Sequence, residues 1–174
     1  RGMPVRLTVV DSFTDRPFAG NPAAVAELDR PAPEAWMQAV AAEVHLSETA
    51  FVVPRADGDH DLRWFTPTVE VDLCGHATLA AAHVLGTACR FHTRSGVLTC
   101  APGADGTVEM DFPAQAPDLA SPGDGAAWAA ALGLDVGDVA ATARSASGWD
   151  LVEVPDPATV GRAVLDRERA MALG

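Results

Sequence analysis

The stretch LCGHATLAAAHVLG at residues 73–86 decides the fold, because it joins a tight glycine turn to a segment that is apolar on nearly every side. A helix that is apolar all round is buried in a protein core rather than lying on its surface. The rest of the chain has mostly short strand-like segments separated by turn residues. We therefore predict an α+β fold in which a curved, mostly antiparallel sheet wraps around one central apolar helix, residues 77–86.

The other predicted elements surround this helix. Alternation of apolar and polar residues and β-branching predict strands at residues 5–12, 23–28, 49–54, 61–65, 90–94, 96–100, 107–112, 138–146 and 150–154. Further helices are predicted at residues 33–44, where Pro33 suits the first turn, at 126–132, and at 157–173, where Asp156 provides the cap. Residues 13–22 and 118–125 are predicted loops.

The charge and cysteine content exclude several classes of protein. The chain has 24 acidic against 12 basic residues, a formal net charge of -12. Nucleic acids and anionic membranes both attract concentrated positive charge, so we expect neither as a partner. Three cysteines are too few and odd in number for a disulfide framework, which favours a cytoplasmic location.

Two polar residues outside the glycine turn are candidates for chemistry. In the loop FAGNP, residues 18–22, Asn21 offers an amide for a polar ligand group, although such a sequence is also an ordinary turn. In LSET, residues 46–49, Glu48 lies at the root of a predicted buried strand. Burial there would disfavour its charge and give it the strength of a general base, whereas a surface Glu at a strand edge is the alternative.

The glycine turn is the most informative motif. Gly75 lies directly before the apolar helix, so the backbone amides at that helix start would face an open site and bind an anion such as a carboxylate. Cys74 and His76 flank the same point, and both can exchange protons. The alternatives are a small buried cysteine and a histidine that only bonds to the turn.

A metal site is the third interpretation of this region. Six potential ligands follow one another along the sequence: Cys74, His76, His83, Cys89, His92 and Cys100. Their spacings do not match paired ligand knuckles, and His83 belongs to the predicted buried helix. We therefore predict no metal site.

Four motifs together resemble the N-terminal half of the PhzF family, named after a phenazine biosynthesis enzyme. They are VDSFT to FAGNP (10–22), LSETAF (46–51), RWFTPTVEV (63–71) and LCGHAT (73–78). The order of the four motifs and the separations between them match the family pattern, as do the residues of each motif. The resemblance implies the diaminopimelate-epimerase type of fold, with two like domains, each a sheet wrapped around a helix, and an active site in the cleft between them.

The resemblance also implies a reaction and a set of site residues. The family's namesake is an isomerase that uses neither cofactor nor metal. The glutamate that shuttles the proton in the family corresponds to Glu48, and the histidine of the glycine turn corresponds to His76. These two are the predicted catalytic residues. Substrate-binding residues on the same wall of the cleft are predicted to be Asn21, Ser47, Cys74, Gly75, Ala77 and Thr78.

Two departures from the family pattern limit this prediction. Asp72 stands where the family often has proline. The second-domain motif, a Gly-Ser-Ala-His-like turn preceded by aspartate, is not found in the sequence. Residues 1–174 are therefore predicted to form a single N-terminal domain, with the second family domain supplied by a longer enzyme, by a separate chain, or by a second copy in a homodimer.

The predicted function is that of an isomerase that moves a proton on a small carboxylic acid, in secondary metabolism such as phenazine or other antibiotic biosynthesis. One subunit of a split isomerase is a variant of this prediction. The alternative from another class is a non-catalytic binding or scaffold protein that kept the half-fold without the chemistry.

Overall fold

The computed structural model describes residues 5–118, 123–145 and 148–173. The chain divides into two compact units, Arg1–Pro113 and Ala114–Gly174, called here the first and the second unit. The assignment of the whole chain to one N-terminal family domain stays a prediction. No helix among the described residues is long and apolar enough to cross a membrane.

The first unit consists of one sheet and two helices. Its strands are β1 (Arg6–Ser12), β2 (Asn21–Glu27), β3 (Glu48–Pro54), β4 (His60–Phe65), β5 (Glu70–Val71), β6 (Cys89–Thr93), β7 (Gly96–Pro102) and β8 (Val108–Asp111). Its helices are α1 (Glu34–Val44) and α2 (Gly75–Leu85). The strand order is β1-β2-β3-β4-β6-β7-β8, with β5 paired to β4. Only β2 with β3 and β4 with β6 run parallel, so the predicted mostly antiparallel sheet is confirmed.

Helix α2 lies inside the curve of this sheet. It contacts β1, β2 and β3 near one end of the strand order and β7 and β8 at the other. A flat sheet could not bring both ends to one helix, so the sheet curls around it. Ala77, Ala80 and Ala81 have no exposed surface, while Trp64 and Phe91 fill the core beside them. The predicted α+β fold around a central apolar helix is confirmed.

Alternation along β3 determines which way its side chains face. Ala50 and Val52 belong to the core around α2, whereas Phe51 and Val53 belong to the core under α1 on the opposite face. Because side chains alternate along a strand, Glu48 lies on the same face as Ala50. The strand pattern therefore directs the carboxylate of Glu48 toward α2.

A buried ion-pair network holds the segment that leads into α2. Glu70 has a side chain that is only 6% exposed, and it accepts two hydrogen bonds of 2.6 Å from Arg63. Arg94 lies 2.5 Å from the same carboxylate, and Glu34 of α1 lies 2.8 Å from Arg63. These charges connect α1, β4, β5 and the β6–β7 hairpin.

Asp72, which stands where the family often has proline, belongs to this network. Its carboxylate lies 3.6 Å from the guanidinium of Arg94, and its side chain is mostly exposed. Its backbone carbonyl accepts a hydrogen bond of 2.7 Å from the hydroxyl of Ser95. Contacts with the β6–β7 hairpin therefore hold the chain at this position.

The second unit is small and has little buried apolar surface. Its elements are α3 (Gly125–Leu132), a 3-10 turn (Val136–Asp138), β9 (Ala141–Arg144), β10 (Asp150–Glu153), α4 (Pro157–Arg162) and α5 (Arg167–Met171). Strands β9 and β10 form an antiparallel pair. The predicted helix 126–132 and strand 150–154 are present within one residue at each end. Residues 119–122 of the predicted loop and residue 146 of the predicted strand 138–146 lie outside the described residues.

Two sequence predictions in the second unit are wrong in extent. Residues 157–173 form two short helices rather than one, because the backbone N–H groups of Val164 and Asp166 donate to carbonyls of α3, at Leu132 and Ala131. Those bonds draw the chain out of the helix, and Asp166 then caps α5. The strand predicted from residue 138 begins only at Ala141, because a 3-10 turn precedes it. The predicted cap by Asp156 is confirmed, since its side chain accepts from the N–H of Thr159 at 2.7 Å.

The packing of α2 predicts that the same substitution, alanine to leucine, destabilises the protein much more in α2 than on the exposed side of α1. Ala81→Leu adds three carbons at a position without exposed surface, so we expect it to lower the free energy of unfolding by roughly 1–3 kcal/mol. Ala42→Leu makes the same change on the exposed side of α1 and should alter it by less than about 0.5 kcal/mol. Urea unfolding followed by circular dichroism measures both. Equal effects of the two substitutions would contradict a tightly enclosed α2.

Candidate active site

Glu48 is held at the first position of β3. Helix α1 is followed by its C-cap His45, whose N–H donates to the carbonyl of Ala41 and whose left-handed backbone (φ 57°) turns the chain sharply. Only Leu46 and Ser47 separate this turn from the strand, where Glu48 pairs with the fully buried Ala23 of β2. The carboxylate is therefore fixed by a short connection on one side and a central strand on the other.

His76 is held at the first turn of α2. Cys74 is the N-cap, with an extended backbone, and its carbonyl accepts a hydrogen bond of 2.6 Å from the hydroxyl of Thr78. The carbonyl of His76 itself accepts a hydrogen bond of 2.7 Å from the buried hydroxyl of Ser12, the last residue of β1. The turn is thus fixed both to its own helix and to the neighbouring strand.

Three side chains surround the imidazole ring of His76. Its Nε2 atom lies 3.2 Å from Oε2 of Glu48 and 3.2 Å from the hydroxyl oxygen of Ser47. Its Nδ1 atom lies 3.5 Å from the sulfur of Cys74. The structure therefore brings together the two predicted catalytic residues and two of the predicted substrate-binding residues.

The carboxylate of Glu48 is sheltered but still has an open acceptor. Its side chain is 19% exposed, and that of His76 is 11% exposed. Oε2 of Glu48 is buried and has no hydrogen-bond partner, because its 3.2 Å approach to Nε2 of His76 is not aligned as a hydrogen bond. A buried carboxylate oxygen without an aligned partner is costly to leave unsatisfied.

Cys74 is not a base at neutral pH. Burial raises the pKa of its thiol to about 11, and the negative charge of Glu48 acts in the same direction. The nearby backbone N–H groups of Ala77 and His76 oppose this shift in the pKa, but burial prevails. The side chain is therefore a thiol in the neutral pH range.

The other predicted binding residues differ in how accessible they are. Asn21 is exposed at the start of β2, two residues before Ala23 and hence on the face of Glu48. A Cβ atom built on Gly75 would meet nothing within 4 Å, so there is open space above the helix start. Ala77 and Thr78 are fully buried, and Thr78 uses both its N–H and its hydroxyl on the carbonyl of Cys74. These two support the turn from below.

The six Cys and His residues that follow one another along residues 74–100 do not form one cluster in the structure. Cys89 and Cys100 face each other across β6 and β7, and their contact lowers the pKa of Cys89 and raises that of Cys100. His92 pairs with Asp59 at 2.8 Å, and His83 is exposed on α2.

Among the described residues, two smaller groups could offer three ligand atoms to an ion. One is Glu48, Cys74 and His76, and the other is Asp57, Asp59 and His92. In the first group the raised pKa of the thiol opposes the thiolate that metal binding requires. The prediction of no metal stays a prediction.

Sequence reasoning missed Ser12 as a part of this site. Its side chain is almost fully buried and holds the carbonyl of His76 from a strand 64 residues earlier in the chain. The only signal in the sequence was its place in the VDSFT motif, at the inward-facing end of an alternating strand. Contacts over such a separation do not show in local patterns.

Comparison with known proteins identifies the family. Residues 10–172 match the PhzC-PhzF family, described as phenazine biosynthesis-like proteins, and the chain belongs to this family. A Pseudomonas aeruginosa protein named as an uncharacterized isomerase is 46% identical over 178 residues, covering 98% of this chain and 65% of its own length. The chain therefore spans somewhat less than two thirds of the length of this relative.

Solved structures agree with this assignment. The PhzF-family phenazine biosynthesis protein of Enterococcus faecalis superposes with a TM-score of 0.79 at 34% identity, covering 99% of this chain and 65% of that one. A probable proline racemase of Agrobacterium radiobacter superposes with a TM-score of 0.56 at 13% identity over 91% of this chain and 53% of its own. The latter likeness concerns the fold alone, and it extends the same architecture to a protein named as a racemase.

The high pKa of Cys74 predicts slow alkylation. At pH 8, a pKa of about 11 instead of 9.0 leaves roughly a hundredfold less thiolate than an ordinary cysteine has. We expect iodoacetamide to modify Cys74 correspondingly slowly in the folded protein, with the rate still rising above pH 9. Peptide mass spectrometry measures the rate, and the protein unfolded in guanidinium is the control. Equal rates in the folded and unfolded protein would contradict a protected thiol.

Proposed function

We propose that the first unit provides one wall of the active site of an isomerase that moves a proton on a small carboxylic acid, with Glu48 as the base. The observation that carries this proposal is the buried Oε2 of Glu48, which has no hydrogen-bond partner and lies 3.2 Å from Nε2 of His76. A sheltered carboxylate beside an imidazole is suited to accept and return a proton.

The start of α2 is the proposed binding site for the carboxylate of the substrate. The helix has 11 residues, the side chain of its N-cap Cys74 caps none of the backbone N–H groups at the helix start, and the space above Gly75 is open. Backbone N–H groups at a helix start attract anions through direct hydrogen bonds and the helix dipole. Asn21 lies on the same face of the sheet and is proposed to bind a further polar group.

The proposed reaction needs only proton transfer. Glu48 takes a proton from a carbon that is activated by a neighbouring unsaturated or carbonyl group, and returns it to another carbon of the same molecule. The electron pair left behind shifts along the unsaturated system, so no electrons are gained or lost. His76 would hold a polar substituent or steady the carboxylate of Glu48. A role in secondary metabolism is proposed from the family description alone.

Two substitutions test the role of Glu48. Glu48→Gln keeps size and polarity but removes the base, so we expect exchange to fall by about 10²–10⁴-fold. Glu43→Gln makes the same change on the exposed side of α1 and should have no effect. The measurement is deuterium uptake from D₂O into a panel of small carboxylic acids with an activated C–H bond, followed by NMR.

The outcomes of this experiment separate the two classes of function. Exchange that survives in Glu48→Gln would contradict the assignment of the base. An acid that binds to the wild-type chain and to Glu48→Gln alike, with no exchange in either, would instead favour a non-catalytic binding protein.

The second wall of the cleft is proposed to come from another polypeptide segment, in a homodimer, in a separate chain or in a longer enzyme. Among its described residues, the second unit exposes seven large apolar side chains: Val136, Trp149, Leu151, Val160, Val164, Leu165 and Met171. Apolar surface of this extent favours association in water.

We therefore expect the 18.0 kDa chain to sediment as a dimer or larger particle at micromolar concentration. Trp149→Gln removes the largest of these exposed side chains and should shift the equilibrium toward the monomer. Analytical ultracentrifugation over a range of concentrations measures both proteins. A monomer at every concentration would contradict self-pairing and require the missing wall to come from a different polypeptide.

A further inference from the structure

We propose that Cys74 is a positioning residue whose thiol donates a hydrogen bond to Nδ1 of His76 and so keeps the ring proton on Nε2, facing Glu48. Its consequence for catalysis rests on the proposed function, whereas the position of the proton does not. The inference assigns to Cys74 a role that is neither base nor substrate ligand.

The imidazole ring of His76 has two nitrogens with different neighbours. A neutral imidazole carries one donor nitrogen and one acceptor nitrogen, and their neighbours decide which is which. Nδ1 faces the sulfur of Cys74 at 3.5 Å, and Nε2 faces Ser47 and Glu48, each at 3.2 Å. Both nitrogens therefore have partners within this chain.

The surroundings of the sulfur favour donation by Cys74. The side chain of Cys74 accepts no capping hydrogen bond from the start of α2, and the contact of its sulfur among the described residues is Nδ1 of His76 at 3.5 Å. Its own hydrogen is left to find an acceptor, and Nδ1 is the acceptor within reach. The thiol is buried and remains protonated, so this hydrogen is present at neutral pH.

The neighbours of Nε2 favour the same arrangement. An ionised carboxylate can only accept hydrogen bonds, and the hydroxyl of Ser47 can either donate or accept. With the proton on Nδ1 instead, Nε2 would present a lone pair to the carboxylate of Glu48 at 3.2 Å, and two acceptors would oppose each other. The proton on Nε2 removes this conflict and offers a donor to the open Oε2.

In the proposed reaction this arrangement has a definite use. A donor beside the carboxylate of Glu48 steadies it while it is ionised, and a small shift of the carboxylate would align the 3.2 Å contact as a hydrogen bond. In this arrangement Cys74 does not have to lose its own proton. Cys74 and Ser47 then act through His76, from opposite sides of the ring.

NMR of the ¹⁵N-labelled full chain tests the inference without any substrate. Long-range spectra that correlate ring protons with ring nitrogens distinguish the Nε2–H tautomer, the Nδ1–H tautomer and the doubly protonated ring. The chain has five histidines, and His76→Gln identifies the signals of His76 by their loss. We expect Nε2 to be protonated, and Nδ1 to be unprotonated with the chemical shift of a hydrogen-bonded acceptor.

Two substitutions at Cys74 make the test specific. Cys74→Ser keeps a donor and should preserve the Nδ1 signal, whereas Cys74→Ala removes the donor and should lose the hydrogen-bond shift or average the two tautomers. The spectra of the other four histidines report whether the fold is retained. A protonated Nδ1 in the wild-type chain, or an Nδ1 signal that Cys74→Ala leaves unchanged, would overturn the inference. Neither result depends on whether Glu48 catalyses an exchange reaction.

Discussion

Helix α2 must carry small side chains where it faces the sheet, because a curled sheet leaves little room for the helix that it encloses. Ala77, Ala80 and Ala81 meet this constraint and allow strands from both ends of the sheet to contact one helix. The same enclosure fixes where the helix begins. Since Glu48 starts a central strand on the face toward α2, the position of the helix sets the distance between Glu48 and His76, and with it the chemistry of the site.

In the candidate site, neighbouring groups offset the cost of burying a charged side chain to different degrees at Cys74 and at Glu48. At Cys74, two backbone N–H groups favour a thiolate, but burial and the nearby charge of Glu48 prevail and keep the thiol. At Glu48, Oε2 is buried without an aligned partner, although an imidazole lies 3.2 Å away. The result is one acceptor with unused capacity, next to groups that are already engaged with each other. Unused hydrogen-bonding capacity in a sheltered place is what a bound molecule can satisfy.

Local patterns in the sequence were sufficient for the parts of the fold that depend on neighbours along the chain. The wholly apolar helix predicted the enclosed α2, and the buried strand predicted at residues 49–54 placed Glu48 at its root. The resemblance to the PhzF family then placed His76 beside it, which periodicity alone could not do. Two features escaped because distant contacts decide them: Ser12 bonds to a turn 64 residues away, and carbonyls of α3 interrupt the helix predicted at 157–173.

The proposed acid–base site belongs entirely to the first unit, because its four residues lie on β3, on α2 or directly beside them: Glu48, His76, Ser47 and Cys74. A single wall of the cleft does not exclude water from Glu48 and His76. A second surface over the open wall would exclude water from the contact between Glu48, whose side chain is 19% exposed, and His76. A relative in which this chain accounts for 65% of the length has a further third of polypeptide available for such a surface. In the proposed enzyme, therefore, the first unit carries the residues that transfer the proton, and the covering surface keeps water away from them.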